Sequence, residues 1–298
     1  MERSVVSNKP KMTRPSVYQF KLGDFTITNI LEGYRHLDNL YPFAGTNADA
    51  AEVEAIAKEC HLPFPNLEHN FVPSLVDTGN HLIALDPGFG EKAQFPTSGW
   101  FNNYLPDAGY TLEDVDFVVV THCHPDHIGN LIASGQPTFP NAEIVFGRVE
   151  FDYWRKGENI PDFRAPTLSM FQEICQPLED RARYVEVGED IVTGVTAVDA
   201  FGHSAGHMAY HIESNGQELM IMSDTAAHYA ISFRHPEYNF SMDDDPEKAA
   251  ISRRRVLSQV ADSKMAAIGF HMPFPSVGYV DRHGDGFTWV PAAYQFNL

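Results

Sequence analysis

The sequence predicts an α/β fold in which helices cover mixed β-sheets. Strand-like apolar runs recur along the chain, tight turns join several of them, and helical patterns lie between them. Of the 298 residues, 43% are hydrophobic and 20% are charged, which is a globular composition. We predict a flexible N-terminal arm over residues 1–16, which carries basic residues but no apolar run, and a single domain over residues 17–298.

The first half of the chain contains a predicted hairpin and a buried strand. Residues 71–77 and 81–86 are apolar runs on either side of a Thr-Gly-Asn turn at 78–80. A short helix is predicted to begin at Thr111, since acidic residues follow it in the first turn. Residues 115–121 form a continuous apolar run, typical of a strand that is covered on both faces.

The second half repeats this organisation. Residues 207–213 and 217–223 flank an Asn-Gly pair at 215–216, a strong short-range signal for a hairpin. A helix is predicted over residues 245–262, because Asp-Pro at its start supplies a cap and a proline in the first helical position.

Two stretches, residues 35–70 and 150–182, are rich in proline and aromatic residues and show no clear periodicity. Segments of this length in a compact enzyme are often lids or substrate-binding loops. Their aromatic side chains are candidates for the wall of an apolar substrate pocket, with packing of the lid as the alternative. The candidates are Phe64, Trp154, Phe163 and Phe171.

The strongest chemical signal is the segment Thr-His-Cys-His-Pro-Asp-His at residues 121–127, directly after the buried strand. The ends of strands are where α/β sheets commonly carry their chemistry, and imidazole and carboxylate are preferred ligands of zinc and similar ions. Cys123 lies between two candidate ligands and should point away from them, so we expect it to pack rather than bind metal. The candidates in this segment are His122, His124, Asp126 and His127. Distant candidates that follow strands or lie in glycine-flanked turns are His203, Asp224 and His271.

This pattern resembles the metallo-β-lactamase fold superfamily of metal-dependent hydrolases, whose signature His-x-His-x-Asp-His is matched by residues 122–127. The resemblance runs from about Tyr18 to the C-terminus and includes Asp86 in a Leu-Asp-Pro-Gly motif. It implies a four-layer αββα sandwich with two mixed sheets and a dinuclear metal site at one edge. By position, it implies one metal at His122, His124 and His203, a second at Asp126, His127 and His271, and a bridging Asp224.

Within the superfamily, the chain is similar to the methyl parathion hydrolase and lactonase branch. The ending over residues 270–291 looks like the ending of that branch. Some acyl-homoserine lactonases carry a Tyr three residues after the bridging Asp, where this chain has Ala227. His228 or Tyr229 could supply the polar group instead, with Tyr229 also a candidate for the substrate pocket.

The resemblance implies a dinuclear hydrolase in which a hydroxide that bridges two divalent ions, zinc by default, cleaves a lactone or ester. Two such ions lower the pKa of a shared water towards about 7, so no Ser or Cys nucleophile is needed. We expect Asp126, Asp224 and His228 to take part in catalysis, and Asp86 to orient a ligand histidine.

Several alternatives stay open at this point. An organophosphate triester hydrolase of the methyl parathion hydrolase type would use the same nucleophile with a wide apolar pocket. An iron-dependent thiol dioxygenase of the same fold keeps much of the signature. A non-catalytic binding protein of this fold is the third alternative, although every ligand is present.

Charge and cysteine content bear on partners and location. The chain has 21 Lys and Arg against 40 Asp and Glu, a net charge of −19, so its surface repels phosphate backbones and anionic lipid. We therefore predict a small-molecule substrate and neither nucleic acid nor membrane as a partner, with a homodimer left open. Three widely spaced cysteines indicate a reducing compartment, which we take to be the cytoplasm.

Overall fold

The computed structural model describes residues 14–297. Residues 1–13 of the predicted N-terminal arm therefore lie outside the described residues. The strands of the first half are β1 (Val17–Leu22), β2 (Phe25–Ile30), β3 (Gly33–Leu37), β4 (Leu67–Phe71), β5 (Ser74–Asp77), β6 (Leu82–Leu85), β7 (Phe117–Val120), β8 (Ile132–Ala133), β9 (Gln136–Pro137) and β10 (Glu143–Gly147). Those of the second half are β11 (Arg183–Val185), β12 (Asp190–Val192), β13 (Val195–Asp199), β14 (Met208–Ser214), β15 (Gln217–Ser223), β16 (Ala266–Gly269), β17 (Val277–His283) and β18 (Gly286–Pro291). The α-helices are α1 (Ala50–Glu59), α2 (Phe101–Tyr104), α3 (Pro125–Ile128), α4 (Arg148–Lys156), α5 (Ala165–Ile174), α6 (Ile231–Arg234) and α7 (Pro246–Ser263).

Two 7-stranded sheets dominate the fold, with strand orders β1-β2-β5-β6-β7-β10-β11 and β12-β13-β14-β15-β16-β17-β18. Both are mixed: β6, β7, β10 and β11 pair in parallel in the first sheet, and β15 pairs in parallel with β16 in the second. Strands β3 and β4 form a separate two-stranded ribbon. The prediction of an α/β fold with two mixed sheets is confirmed.

The sheets pack face to face, with helices outside. Side chains from both sheets share the central core, for example Val119 of β7 and Tyr210 of β14. Phe151 of α4 and Phe171 of α5 pack on the outer face of the first sheet, and Leu257 of α7 packs on the outer face of the second. The layers therefore run helix, sheet, sheet, helix, which is the predicted αββα sandwich.

Most local predictions agree with the structure. Strands β5 and β6 form the first predicted hairpin, and β14 and β15 form the second. Helix α7 begins after Asp245, whose side chain accepts the Lys248 N–H at 3.1 Å as a cap. The predicted helix at Thr111 is reduced to a single 3₁₀ turn, Leu112–Asp114, because Val115 already leads into β7.

The two unassigned stretches contain regular secondary structure. Residues 35–70 contain α1 between the strands of the ribbon, and residues 150–182 contain most of α4, all of α5 and 3₁₀ turns. Helices α4 and α5 cover the first sheet, so their buried aromatic side chains belong to the core. Within residues 14–297, no helix combines the length and the hydropathy that crossing a bilayer requires.

Candidate metal centre

Strands of both sheets end at the same edge of the sandwich, and the candidate ligands follow these ends. The segment 121–127 follows β7, Asp224 follows β15, and His271 lies two residues past β16. Parallel strands present their carboxyl ends on one side, which brings these loops together. His203 arrives from the turn between β13 and β14.

The first group of ligand atoms belongs to three histidines. The distance from His122 Nε2 to His124 Nδ1 is 2.8 Å, and the distance from His124 Nδ1 to His203 Nε2 is 3.1 Å. All three side chains are buried, so their facing nitrogen atoms are shielded from water. This group could hold one ion.

The second group consists of Asp126, His127 and His271. The Asp126 carboxylate oxygen Oδ2 lies 3.6 Å from the Nε2 atoms of both His127 and His271. Asp126 is the most exposed of the three, with 17% of its side chain accessible, because it faces the open side of the site.

Asp224 lies between the two groups. Its Oδ2 atom is 3.3 Å from His203 Nε2 and 3.0 Å from His271 Nε2. Its Oδ1 atom is 3.5 Å from His127 Nε2. The structure thus brings all seven predicted ligands together, with Asp224 in the position that a shared ligand would take.

The donor set fits a pair of divalent ions. A tetrahedral zinc ion with ligands at about 2.0–2.1 Å holds those ligands roughly 3.3 Å apart, and the separations given above scatter around that value. Among the described residues, His127 Nε2 and Asp224 Oδ1 are buried and have no hydrogen-bond partner. Unpaired buried polar atoms are costly, and an ion between these two would satisfy both.

The ligands interact strongly with one another in electrostatic terms. Burial lowers the pKa of His122 and of His124 well below the ordinary value, which keeps these rings neutral as metal binding requires. Burial opposes protonation of His203 as well, but the carboxylates of Asp224 and Asp243 outweigh it and raise its pKa to about 9. Protons and metal ions therefore compete for the same nitrogen atoms.

Asp86 connects the ends of three strands beneath the ligands. It accepts the Thr121 N–H at 2.8 Å and hydroxyl hydrogens from Thr121 and Ser223 at 2.7 and 3.0 Å. Asp86 and Ser223 both adopt positive φ, at 53° and 45°, and such strain persists only where the surroundings fix it. Asp86 Oδ2 also lies 3.0 Å from His127 Nδ1, although without hydrogen-bond alignment, which is the neighbourhood expected of a residue that orients a ligand.

His207 is a structural residue. Its Nδ1–H donates to the Ala200 carbonyl at 3.0 Å, so its Nε2 accepts the Asp224 N–H at 3.3 Å. The ring thereby fixes the backbone of the residue that lies between the two ligand groups.

Two acidic side chains that support the ligands were not predicted. Asp243 Oδ1 lies 2.9 Å from His203 Nδ1, and its Oδ2 accepts from Arg253 at 3.1 Å. Glu150 of α4 is fully buried, and its carboxylate accepts the N–H groups of Cys123 and Gly206, each at 2.8 Å. Neither residue has a spacing or motif that marks it in the sequence.

A cleft of about 240 Å³ opens over the two ligand groups. Its walls combine aromatic and basic side chains that include Arg35, His69, Phe95, Phe163, Arg164 and Phe240. Of the aromatic residues predicted to line a pocket, Phe163 does so.

The other predicted pocket residues lie elsewhere. Trp154 and Phe171 are fully buried in the core between the first sheet and its helices, and Phe64 packs beside α1. Tyr229 lines a separate surface depression near Pro273. None of these four side chains lines the cleft over the ligand groups.

His228 is buried and does not line the cleft. Its Nδ1 accepts the Ala230 N–H at 3.2 Å, and its ring stacks on Tyr229 with centroids 4.5 Å apart. This geometry does not support the prediction that His228 takes part in catalysis or that His228 or Tyr229 supplies the missing polar group. Ala227, at the position where some lactonases carry Tyr, is fully buried.

Glu32, directly behind the cleft loops, is a buried carboxyl whose charge should make stability depend on pH. Its Oε1 accepts the N–H groups of Phe89 and Gly99 at 3.0 and 2.8 Å, whereas its Oε2 is buried without a partner among the described residues. Burial raises its pKa from 4.5 to about 7. The fold therefore favours the protonated form of Glu32 and is destabilised when the carboxyl ionises. The contribution of Glu32 to the free energy of unfolding is complete below about pH 4.5 and is lost as the pH rises through about 7.

We expect Glu32→Gln to become more stable relative to the wild type between about pH 5 and pH 8, because the amide keeps the accepting oxygen and never ionises. Urea unfolding of both proteins at several pH values measures the difference, and pH effects on the metal ligands are common to both. Glu113→Gln, at an exposed site, is the control and should show no such trend. A pH-independent difference for Glu32→Gln would contradict the prediction.

Comparison with known proteins gives a family match over most of the domain. The model of the metallo-beta-lactamase superfamily matches residues 73–269. This range contains six of the seven candidate ligands, and His271 lies two residues beyond it. N-acyl homoserine lactonase AiiA of Bacillus thuringiensis subsp. kurstaki is 26% identical over 165 residues, 54% of this chain and 58% of the relative. The chain thus spans less than two thirds of the curated relatives that it matches.

Solved structures extend the likeness to nearly the whole chain. The dizinc quorum-quenching lactonase AidC, in complex with a product, is 27% identical with a TM-score of 0.88, over 94% of this chain and 98% of AidC. The hydrolase AbOPH of the beta lactamase superfamily also has a TM-score of 0.88, over 95% and 100%, and at 24% identity it shows likeness of fold. The chain belongs to the metallo-beta-lactamase superfamily.

Proposed function

We propose that this protein is a metal-dependent hydrolase that opens a small lactone or ester at a dinuclear centre. The observation that carries the proposal is the convergence of seven N and O ligand atoms in two adjacent groups beneath a cleft, with unpaired buried atoms between them. The likeness to the dizinc lactonase AidC over nearly the full length of both chains supports the same conclusion.

In this proposal, His122, His124 and His203 hold one ion, and Asp126, His127 and His271 hold the other. Asp224 contacts both groups and is the shared ligand. When bound, the two ions would supply a hydroxide at neutral pH and polarise the carbonyl oxygen of the substrate.

The residues of the chain position these parts. The contacts of Asp86 and Asp243 with ligand histidines limit rotation of the rings, which preserves the geometry that the reaction needs. Buried aromatic side chains such as Phe71 and Phe89 lie beside the ligands and limit the access of bulk water. Low local polarity strengthens the electrostatic interactions within the site.

The size of the cleft bears on the substrate. Its volume of about 240 Å³ is below the roughly 300–1,000 Å³ of pockets that hold drug-sized ligands. A small lactone or ester fits this space better than a phosphotriester with a bulky aryl group, which is the main alternative.

The metal content can be tested directly. Histidine and carboxylate ligands suit zinc, so elemental analysis of protein purified without added metal should find two zinc ions per chain. A single tightly bound iron, together with oxygen uptake in the presence of a thiol, would instead indicate a dioxygenase.

The substrate class can be tested by comparing kcat/KM of the metal-loaded protein on five substrates. These are an acyl-homoserine lactone, an aromatic lactone, an aryl ester, a phosphotriester and a β-lactam. We expect a lactone or the aryl ester to lead. A lead of more than about tenfold for the phosphotriester or the β-lactam, roughly 1.4 kcal/mol of preference, would contradict the proposal.

A further inference from the structure

The ribbon of β3 and β4 places a basic residue at the wall of the cleft. Arg35 of β3 pairs directly with His69 of β4, so their side chains project from the same face of the ribbon. The His69 ring stacks on the ring of His271, with centroids 4.1 Å apart. Arg35 therefore stands one side chain away from the second ligand group, and both residues line the cleft.

The positive charge of Arg35 lacks a partner among the described residues. No carboxylate oxygen lies within 4.0 Å of its guanidinium nitrogens in residues 14–297, and its buried Nε makes no hydrogen bond there. The guanidinium instead lies over the rings of Phe43 and Phe95, 4.5 and 5.8 Å from their centroids. The nearest influence is the negative charge of Asp126, which favours the charged form of Arg35. Asp126, however, is a candidate metal ligand, so its charge is assigned to the metal.

Arg164 provides a comparison within the same cleft. Its Nε donates to Asp244 Oδ1 at 2.8 Å, and its terminal nitrogen donates to the Met242 carbonyl. The charge of Arg164 is thus compensated by the protein. Of these two cleft arginines, only Arg35 keeps its donors and charge for a ligand.

We propose that Arg35 is a specificity-determining residue that binds a carboxylate group of the substrate, so that the preferred substrates are acidic lactones or esters. This inference rests on the proposed function. A half-buried guanidinium gains most from an ionised acceptor, which it can bind through two parallel hydrogen bonds. The net charge of −19 opposes the binding of an anionic substrate only weakly inside the cleft, because salt screens surface charges that lie more than about 8 Å away.

The alternative is that Arg35 only clamps aromatic rings. Two chromogenic esters with the same adipate chain separate these roles: 4-nitrophenyl hydrogen adipate, which is anionic, and 4-nitrophenyl methyl adipate, which is neutral. We expect the metal-loaded wild type to prefer the anionic ester. Arg35→Met keeps the apolar stem and should raise KM for the anionic ester by about tenfold or more, while KM for the neutral ester stays within about twofold.

Controls separate charge from structure. Arg148→Met removes an exposed arginine that also lies over an aromatic ring, Tyr184, but outside the cleft, and it should change neither KM. Arg35→Lys keeps the charge and should restore part of the preference for the anionic ester. Metal content and circular dichroism should match the wild type in every variant.

Two outcomes would overturn the inference: a wild type that prefers the neutral ester, or an Arg35→Met variant that impairs both esters equally. The first needs no variant, so the inference stays testable even if Arg35→Met folds poorly. If the wild type cleaves neither of these esters and none of the lactones and esters named above, the proposed function fails. Calorimetry with monomethyl adipate then still tests Arg35, since the variant should bind this anion about tenfold more weakly.

Discussion

Replacement of Asp224 by alanine is expected to reduce hydrolysis by at least about a hundredfold and to lower the bound metal below two ions per chain. Asp224 is the side chain that contacts both ligand groups, at 3.3 Å from His203 and 3.0 Å from His271. Replacing a residue that only supports a metal ligand commonly lowers metal affinity or activity by about 10- to 100-fold. Replacing a shared ligand should have a larger effect. Turnover and elemental analysis on the same preparation measure both consequences.

The fold should survive this change, because the neighbouring backbone is held independently. The Asp224 N–H donates to His207, and that contact does not need the carboxylate. Circular dichroism should therefore match the wild type. Asp281→Ala, at an exposed site, is the matched control and should retain both ions. Full turnover with two ions in Asp224→Ala would show that the bridge has been misplaced.

The local part of the site could be predicted because it is contiguous in sequence. Four ligands lie within residues 122–127, and a continuous apolar run before them indicates the end of a buried strand. The chemistry of imidazole and carboxylate then points to a metal. The distant ligands needed the family resemblance, since nothing in the residues around His203 or His271 specifies which strand ends meet.

The supporting residues could not be predicted, because their roles arise only from tertiary contact. Asp243 reaches His203 from a loop 40 residues further along the chain. Arg35 and His69 face the cleft because of the register of a ribbon whose strands are separated by α1. Neither contact leaves a periodic or short-range pattern.

The stretch over residues 150–182 shows how composition misled the prediction. Its aromatic and proline residues favour a loop, but α4 and α5 use the aromatic side chains to cover the first sheet. Most of this stretch therefore packs against the first sheet, although Phe163 and Arg164, between α4 and α5, line the cleft.

Glu150 is the residue through which α4 supports the ligands. Its carboxylate accepts the N–H of Cys123, between two candidate ligands, and the N–H of Gly206, in the turn that carries His203. It also accepts the indole N–H of Trp154 at 2.7 Å and the Ser204 hydroxyl. The approach is so close that a Cβ at Gly206 would lie 2.2 Å from the Glu150 nitrogen. One buried carboxylate thus joins two ligand loops.

We expect Glu150→Leu to lower the free energy of unfolding by about 3 to 5 kcal/mol, because three buried N–H groups lose their acceptor and each such loss costs about 1–3 kcal/mol. Glu150→Gln should lose less, since it keeps one accepting oxygen, although its amide group would face the Gly206 N–H. Urea unfolding without metal measures the loss, and metal titration should show about 10- to 100-fold weaker binding because the ligand loops are no longer held together.

Glu143→Leu, at the exposed start of β10, is the control and should change neither quantity appreciably. A Glu150→Leu variant that loses less than about 1 kcal/mol and binds metal as the wild type does would show that α4 covers the sheet without organising the site.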